Sequence, residues 1–390
     1  MCSALLPPHV FCSAAARVCV CVCVMLLRRR FVLPRPAPRA SIASKREVVG
    51  DDAVRVMNGN CILDGSMGYN GYRLCPSQVE IIKGDSNYLG ITAIITVGMN
   101  LVSFFFAYKF QFDFLTDLTG SANFIVNALL PFLANKGFCD RQVMAVVLLC
   151  CSKAYLASYL FARVLKRGHD ARFDEMRSKF GSFLGFWIFQ MIWAWCCTFP
   201  VMWVASSASQ PPLQATDWAG LALFLYGLIC EVWGDLSKDA FRNVKENRNQ
   251  VLCSGIWSWS RHPNFFGEIA MMWGLLLIAV AVVYDPATGR YTGWASLIAP
   301  LFTMLIMLFA SGMPTAEGTN QSRYLRDPVV KAKYLAYRET TSPLIPMPPQ
   351  LYGALPHIIK RIFFFEFDMY AMDWNAVLIE EPKAQAAVPH

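Results

Sequence analysis

The sequence predicts an all-α protein, a polytopic membrane bundle of about seven transmembrane helices. Two observations support this prediction. The 390 residues are 55% hydrophobic and only 16% charged, with a mean hydropathy of +0.38, whereas soluble chains carry roughly 25% charged residues. The apolar residues are also gathered into runs of about 20, the length that a helix needs to cross a bilayer.

The apolar runs follow one another closely between residues 89 and 312, and each is a predicted span. Their predicted bounds are 89–108, 119–135, 142–162, 183–205, 218–235, 266–284 and 294–312. The second, fifth and sixth runs are short or interrupted, which local thinning of the bilayer can accommodate. The predicted membrane domain, residues 89–350, contains all of these runs.

Basic residues are distributed unevenly among the predicted loops. Loops 163–179 and 236–262 are rich in Lys and Arg, whereas loop 206–217 contains neither. Cytosolic loops carry the excess of Lys and Arg in membrane proteins. Loop 236–262 and the basic segment 313–345 are therefore predicted to lie on the same, cytosolic face.

The N-terminal segment 1–46 holds eight Arg and Lys residues and no acid. It fits a signal anchor, an organelle transit peptide or sequence upstream of a later start, and all three interpretations stay open. The rest of the chain has 27 basic and 27 acidic side chains, so nucleic acid is not a predicted partner. Residues 47–88 are a predicted polar region. Residues 351–390 are a predicted aromatic tail, either an interfacial amphipathic helix or a pairing element.

Metal ligands are not indicated by the sequence. The 14 cysteines show neither the paired spacing of a disulfide framework nor that of a zinc site. His169 has no second histidine near it in the chain. We therefore predict no metal site.

The densest polar stretch, Arg261 to Glu268, directly precedes an apolar run. Pro263 suits the first turn of a helix, so it is predicted to open the sixth span. Asn264 and Glu268 would then share one face, and Arg261 and His262 beside the helix N-terminus would favour an anion. A helix start with snorkelling side chains fits the same spacing, so both interpretations remain open.

Two further groups of charged residues precede this stretch. Glu231 and Asp235 are four residues apart near the end of the fifth span, where they would share a helical face directed to a polar cavity or to the interface. Arg242, Lys245 and Arg248 recur every three residues in the following loop. Such a stripe suits phosphate, but it equally suits contact with anionic headgroups.

The segment after the last span, residues 323–338, mixes tyrosines with cations. It contains Arg323, Tyr324, Tyr334 and Tyr337. Tyrosine rings can stack on a flat ligand while arginine pairs with phosphate. An amphipathic helix with tyrosines at headgroup depth explains the same pattern.

Taken together, these residues resemble a known family. The stretch from Gly255 to Glu268, read Gly-Ile-Trp-Ser-Trp-Ser-Arg-His-Pro-Asn-Phe-Phe-Gly-Glu, resembles the signature of steroid 5-alpha-reductase-like membrane proteins. It is most similar to the branch catalogued as a domain of unknown function, DUF1295-like. The stretches 167–177, 231–235 and 311–346 are similar to that branch as well, so the resemblance covers about residues 90–350.

This resemblance implies a helical membrane fold that holds NADPH at the cytosolic side and admits a lipophilic substrate from the bilayer. Asn264 and Glu268 match the Asn-Phe-x-Gly-Glu element of the steroid reductases, and Arg261 and His262 match an Arg-His-Pro variant. The cofactor-binding residues that it implies are Asp235, Lys245, Arg261, His262, Asn264, Arg323, Tyr324 and Tyr334. The implied membrane is the endoplasmic reticulum or another organelle membrane.

The implied reaction is reduction of an activated carbon–carbon double bond, of the 3-oxo-5-alpha-steroid 4-dehydrogenase type. An acid must polarise the carbonyl as enolate charge develops, and Glu268 or Tyr337 is the expected donor. One residue departs from the pattern, because many relatives have Tyr where this chain has Phe265. A missing hydroxyl would require compensation or would remove activity.

Two other functions remain open on the sequence. Membrane methyltransferases of lipids or prenylated substrates, which use S-adenosylmethionine, share the Arg-His-Pro element. Many of them have a Glu-Glu pair after the last span, where this chain has the lone Glu317. A non-catalytic membrane member of the family is the third possibility. The sequence does not fix the substrate or the oligomeric state.

Overall fold

The predicted all-α class is confirmed, because the described part of the chain is 77% helical with almost no strand. The computed structural model describes residues 73–74, 81–111, 114–136, 138–167, 173, 176–284 and 289–370. The predicted N-terminal segment 1–46 and most of the polar region 47–88 lie outside these residues.

Helices account for nearly all the regular structure that is described. The first six are α1 (Leu89–Phe110), α2 (Phe114–Asn135), α3 (Asp140–Arg167), α4 (Phe180–Cys197), α5 (Phe199–Ser206) and α6 (Ala215–Asn243). The next six are α7 (Pro263–Ala279), α8 (Ile298–Leu305), α9 (Met313–Tyr324), α10 (Pro328–Thr340), α11 (Pro349–Gly353) and α12 (His357–Phe363). Two short strands, β1 (Arg73–Leu74) and β2 (Ser209–Gln210), pair antiparallel.

Among the described residues, six helices are long and apolar enough to cross a membrane. They are Leu89–Phe110, Asp140–Lys166, Phe180–Cys197, Ala215–Asn243, Pro263–Val282 and Thr292–Tyr324. The predicted second span, 119–135, does form a helix, α2, but this helix is not among the six. It contains several polar residues, among them Asp117 and the buried Asn123 and Asn127.

The predicted fourth span, 183–205, is interrupted. Helix α4 ends at Cys197 and α5 begins at Phe199, with Pro200 in the first turn of α5. Proline has no N–H to donate to the preceding turn and its ring crowds the carbonyl four residues back. The break at Thr198 therefore follows from the proline.

The chain divides into two compact units. Among the described residues, the first comprises those up to Trp195 together with Val204–Pro212, and the second comprises Cys196–Trp203 and those from Leu213 onward. In the first unit, α2 packs on α1 and α3, with hydrogen bonds between buried polar side chains. The Nδ2 of Asn127 donates to the Oγ1 of Thr96 at 3.0 Å. Such bonds hold helices together in lipid, where burial of apolar surface gives little drive for association.

The second unit is centred on the pair α6 and α7, which pack backbone to backbone. Glycines lie where the two antiparallel helices meet: a Cβ added to Gly227 would lie 2.6 Å from the carbonyl oxygen of Gly267. A Cβ on Gly274 would lie 2.7 Å from that of Gly220. Only residues without a side chain permit such an approach, so these glycines fix the register of α6 against α7.

The last span changes its helical form along its length. A 3₁₀ turn, Thr292–Leu297, leads into α8, and a π-helix, Ile306–Ala310, follows before α9. A Cβ on Gly312 would collide with the carbonyl of Met307 at this point. Insertions of this kind are frequent at functional sites, and here one lies directly before the helix that carries Glu317.

Candidate functional site

The segment before α7 is held in place by a second stretch of backbone. The N–H of Arg261 donates to the carbonyl oxygen of Ser342 at 2.8 Å. The Oγ of Ser260 donates to the carbonyl of Leu344 at 2.7 Å and accepts from the N–H of His262 at 3.1 Å. These bonds join the two segments that were predicted to share a face, and they fix the directions of the Arg261 and His262 side chains.

Pro263 is the first residue of α7, which confirms the predicted helix start. His262 precedes it with φ −140° and ψ 62°, outside the helix. The Arg261 and His262 side chains are therefore set by the loop, whereas Asn264 and Glu268 belong to the first turns of α7.

An ion cluster forms around Glu317 in α9. Its Oε1 lies 3.1 Å from the Nε of Arg261 and 3.0 Å from the Nε2 of His262. Its Oε2 accepts a hydrogen bond from the hydroxyl of Tyr334 at 2.7 Å. All four residues are at most 2% exposed. A charge buried so deeply is tolerated only when it is paired and hydrogen-bonded; this carboxylate is paired with Arg261 and forms hydrogen bonds with His262 and Tyr334.

A second carboxylate completes the cluster from the C-terminal part of the chain. The Oε1 of Glu366 lies 2.8 Å from the Nη2 of Arg261 and 3.5 Å from the Nη2 of Arg338. Its Oε2 accepts from the hydroxyl of Tyr352 at 2.8 Å. We use the name ion cluster below for Arg261, His262, Glu317, Tyr334 and Glu366.

Neither carboxylate of the ion cluster was predicted as a site residue. In the sequence, Glu317 is notable only as a lone acid where many membrane methyltransferases have a Glu-Glu pair, and Glu366 lies in the predicted aromatic tail. A signal was present for Glu317, since it is a lone acid close behind an apolar run, where an ionisable side chain is expensive. For Glu366 the sequence offers no comparable signal.

Burial and the neighbouring carboxylates shift the pKa values of Arg261 and His262 in opposite directions. Burial lowers the pKa of Arg261, but the carboxylates of Glu317 and Glu366 outweigh it and raise that pKa above its ordinary value. Burial lowers the pKa of His262, which Glu317 only partly offsets. We therefore assign His262 as neutral near pH 7, with the proton on Nε2 where it donates to Glu317.

The residue that departs from the family pattern contacts the ion cluster directly. The ring of Phe265 stacks on the imidazole of His262, with centroids 5.2 Å apart and an angle of 7° between the planes. Phe265 also packs in an apolar cluster with Ile269, Leu308 and Met313. The ring therefore supports one face of His262 without a hydroxyl.

A narrow cavity of about 20 Å³, enough for roughly one water molecule, lies beside the ion cluster. Three cations and three tyrosines contribute to its wall, namely Lys238, Arg242, Arg261, Tyr324, Tyr334 and Tyr337. The Tyr337 hydroxyl donates to the carbonyl of Trp257 at 2.5 Å. Burial raises the pKa of Tyr337 well above its ordinary value, so this hydroxyl stays protonated and can act as a donor.

A larger, open cleft of about 590 Å³ lies at the end of α9. Its lining includes three cations, Lys245, Arg323 and Arg326, and two acids, Glu246 and Asp327. The Oδ1 of Asp327 accepts from the N–H of Val329 at 2.8 Å and so caps α10. This hydrogen bond compensates part of the negative charge of Asp327. We call this void the cationic cleft.

The narrow cavity and the cationic cleft share a wall. Arg323 lines the cleft while its neighbour Tyr324 lines the cavity. Val330, which lines the cleft, packs against Val251, Tyr324 and Tyr334. One layer of side chains therefore separates the two voids.

The remaining predicted residues lie between α6 and α7. The Nδ2 of Asn264 donates to the Oδ1 of Asp235 at 3.1 Å, and a Cβ on Gly234 would lie 3.2 Å from the Cγ of Pro263. Glu268 is buried one turn farther along α7. It lines neither the narrow cavity nor the cationic cleft.

The structure thus distributes the predicted residues over neighbouring parts of the second unit. Arg261, His262 and Tyr334 belong to the ion cluster. Tyr324 and Tyr337 line the narrow cavity, Lys245 and Arg323 line the cationic cleft, Asp235 and Asn264 bond across the α6–α7 contact, and Glu268 is buried in α7. The two predicted catalytic residues, Glu268 and Tyr337, are in different groups.

The fold and the six candidate spans define an α-helical, multi-pass integral membrane protein. The chain belongs to the family described as "Protein of unknown function (DUF1295)", whose model matches residues 103–341. This match confirms the resemblance at the level of that family. Searches of curated proteins and of solved structures found no match to the chain.

Proposed function

We propose that the protein is a membrane-embedded, NADPH-dependent reductase of an activated carbon–carbon double bond in a lipophilic substrate. The observation that carries the proposal is the charge around the two voids. Apart from Arg261, which is paired with carboxylates, the linings contain five cations and two acids. They are Lys238, Arg242, Lys245, Arg323 and Arg326 against Glu246 and Asp327.

The sign of this charge distinguishes the two candidate cofactors. NADPH carries three phosphate groups, which arginine binds well through its planar guanidinium. S-adenosylmethionine carries no phosphate and has a positive sulfonium, which an excess of cations repels. The volume of the cationic cleft, about 590 Å³, lies within the ~300–1,000 Å³ usual for ligand sites. The residues present therefore suit the dinucleotide better.

Lys245 and Arg323 are the residues that we propose to hold phosphate, because both line the cationic cleft. Tyr324 and Tyr334 present rings to the adjoining cavity. When bound, the nicotinamide supplies the hydride for the carbon β to a carbonyl. Asp235 and Asn264 would position the reacting ring and its amide from the α6–α7 contact, and Arg261 and His262 would face an anionic group of the cofactor from the ion cluster.

Tyr337 is the preferred proton donor of the two predicted catalytic residues. It lines the narrow cavity, and its hydroxyl would exchange its present bond to the carbonyl of Trp257 for one to the substrate carbonyl. A donor near the carbonyl oxygen stabilises the enolate charge that develops during reduction. Glu268 stays a second candidate for this role. The resemblance to steroid reductases also leads us to propose the endoplasmic reticulum as the membrane, which a fluorescent fusion imaged with an organelle marker would test.

Ligand-dependent thermal stability tests the proposed function. Because a ligand that binds only the native state stabilises it by about 2.7 kcal/mol at 100 times its Kd, we expect NADPH to raise the Tm of the detergent-purified protein. S-adenosylmethionine should leave the Tm unchanged. We expect Arg323→Ala to weaken NADPH binding about tenfold, since it removes a charge-assisted hydrogen bond.

Lys331→Ala is the matched control for Arg323→Ala. It removes a cation that is exposed on α10 and lines neither void. Stabilisation by S-adenosylmethionine alone would replace the reductase with a methyltransferase. An equal loss of NADPH affinity in both variants would show that the cleft has no special role.

A further inference from the structure

The guanidinium of Arg261 is surrounded by groups of the protein. Its Nε lies 3.1 Å from Glu317 as an ion pair without a hydrogen bond, its Nη2 lies 2.8 Å from Glu366, and its Nη1 donates to the carbonyl of Arg338 at 3.4 Å. Because Arg261 is only 2% exposed, an external anion can bind it only by displacing one of these partners. The two carboxylates differ in how firmly each is held.

Glu317 is the less displaceable of the two carboxylates. It lies within α9, is 1% exposed and also accepts from His262 and Tyr334. Glu366 lies outside helices and is 16% exposed in its pair with Arg261. Removing one partner from a buried pair is costly, whereas a partner at the rim of a site is cheaper to exchange.

Glu366 belongs to a short segment, residues 364–370, that we name the C-terminal strap. The strap docks through aromatic contacts, with Phe367 stacked on Phe309 at 5.4 Å and the hydroxyl of Tyr370 donating to the carbonyl of Leu308 at 2.8 Å. Phe365, directly before Glu366, has φ +61°. A left-handed conformation costs a residue other than glycine roughly 1–2 kcal/mol, so tertiary contacts must hold this turn.

The strap also lies beyond residues 103–341, the part of the chain that matches the family model. Within the matched region, Arg261 has Glu317 as its carboxylate partner; the strap adds a second carboxylate to the same guanidinium. A carboxylate between Arg261 and Arg338 occupies the place that suits a phosphate oxygen, because arginine binds both groups through the same donors.

We propose that the C-terminal strap is an intramolecular gate whose Glu366 competes with an anionic ligand for Arg261 and Arg338. Binding of the ligand then releases the strap, and docking of the strap lowers the affinity for the ligand. The competition concerns anions in general. The identification of the ligand as the phosphate-bearing NADPH rests on the proposed function.

Neutralising Glu366 should therefore strengthen ligand binding. We expect Glu366→Gln to lower the Kd for NADPH about tenfold, because a charge-assisted competitor is removed. Asp368→Asn is the matched control, since it neutralises an exposed carboxylate of the same strap that pairs with Arg361 at 2.8 Å. It should leave the Kd unchanged. Weaker binding by Glu366→Gln would overturn the proposal, because Glu366 would then be organising Arg261 for the ligand.

Tyr352→Phe provides a milder test if Glu366→Gln fails to fold. It removes only the hydroxyl that donates to Glu366 and should lower the Kd by up to about tenfold, because one charge-assisted hydrogen bond that holds Glu366 in place is lost. Binding equal to or weaker than that of the native chain would contradict the gate.

A second readout needs no dinucleotide. Hydrogen exchange of the amides of residues 364–370 should accelerate in inorganic pyrophosphate more than in sodium chloride of equal ionic strength, because the anion displaces Glu366. Unchanged exchange would overturn the gate whatever NADPH does. Accelerated exchange without any NADPH binding would support the gate and refute the proposed reductase.

Discussion

A Cβ added to Gly227 would lie 2.6 Å from the carbonyl oxygen of Gly267, so these two residues set the distance between α6 and α7. The contact lies one or two turns from Asp235 and Asn264, which bond to each other at 3.1 Å. The closest helix packing of the second unit therefore adjoins the candidate site.

Gly227→Ala is expected to destabilise the protein by about 1–3 kcal/mol, the usual cost of adding a methyl group to a tight contact. We expect a lower Tm in detergent. We also expect weaker NADPH binding, because the added methyl group would displace Asn264. Gly98→Ala serves as the control, because an added Cβ there meets no atom within 4 Å. Equal Tm values for the two variants would refute the close packing.

Glu317→Gln is expected to lower the stability by about 3–5 kcal/mol, since it leaves Arg261 with less compensating charge in a buried setting. Thermal unfolding followed by tryptophan fluorescence would measure the loss. Glu339→Gln changes the same functional group on the exposed side of α10 and should have little effect. A Tm like that of the native chain would mean that Glu317 is not a charged member of the ion cluster.

The buried His262 should make stability depend on pH. Its pKa is lowered from the ordinary value of 6.5 by burial, with opposing effects of Glu317 and Arg261. Below about pH 6.5 the unfolded chain binds a proton that the folded chain excludes, so stability is present above that pH and falls as the pH drops towards the lowered pKa. The slope for one proton is about 1.4 kcal/mol per pH unit.

Unfolding measured between pH 5 and 8 would test this dependence. In His262→Gln the loss of stability below pH 6.5 should be smaller, whereas His357→Gln, at an exposed histidine that begins α12, should keep the slope of the native chain. A slope that His262→Gln leaves intact would assign the pH dependence to another group.

Two substitutions of Phe265 test whether its ring or the missing hydroxyl matters for the stability of the fold. Phe265→Leu should cost about 0.5–1.5 kcal/mol beyond its loss of area, because it removes the stacking on His262. Phe265→Tyr keeps the ring and should retain the Tm of the native chain. If Phe265→Leu were as stable as Phe265→Tyr, the stacking of Phe265 on His262 would contribute nothing to stability.

Local pattern was enough to predict some features of the site. Pro263 marks the start of α7 in the sequence because its conformational effect is local, and the structure places that start at the same residue. The predicted span 183–205 is interrupted at Thr198, for which Pro200 carried a signal in the sequence. The helices themselves follow from the apolar runs.

The partners of Arg261 could not be predicted in the same way. Its two carboxylates come from α9 and from the C-terminal strap, and Glu366 lies 105 residues farther along the chain. Contacts over such separations depend on the packing of several helices, which one sequence does not specify. The cationic cleft also depends on packing, since Lys245 and Arg323 meet only after α6 and α9 are in place.

The position of Glu366 also bears on how the protein is made. A ribosome adds about 5–20 residues per second, so the 105 residues that separate Arg261 from Glu366 take about 5–20 s to synthesise. Glu317 in α9 is synthesised about half-way through that interval, so the guanidinium can meet this partner before the one from the strap. The pairing of Arg261 with Glu366 is therefore completed after that with Glu317, and chains that stop short of residue 366 would lack it.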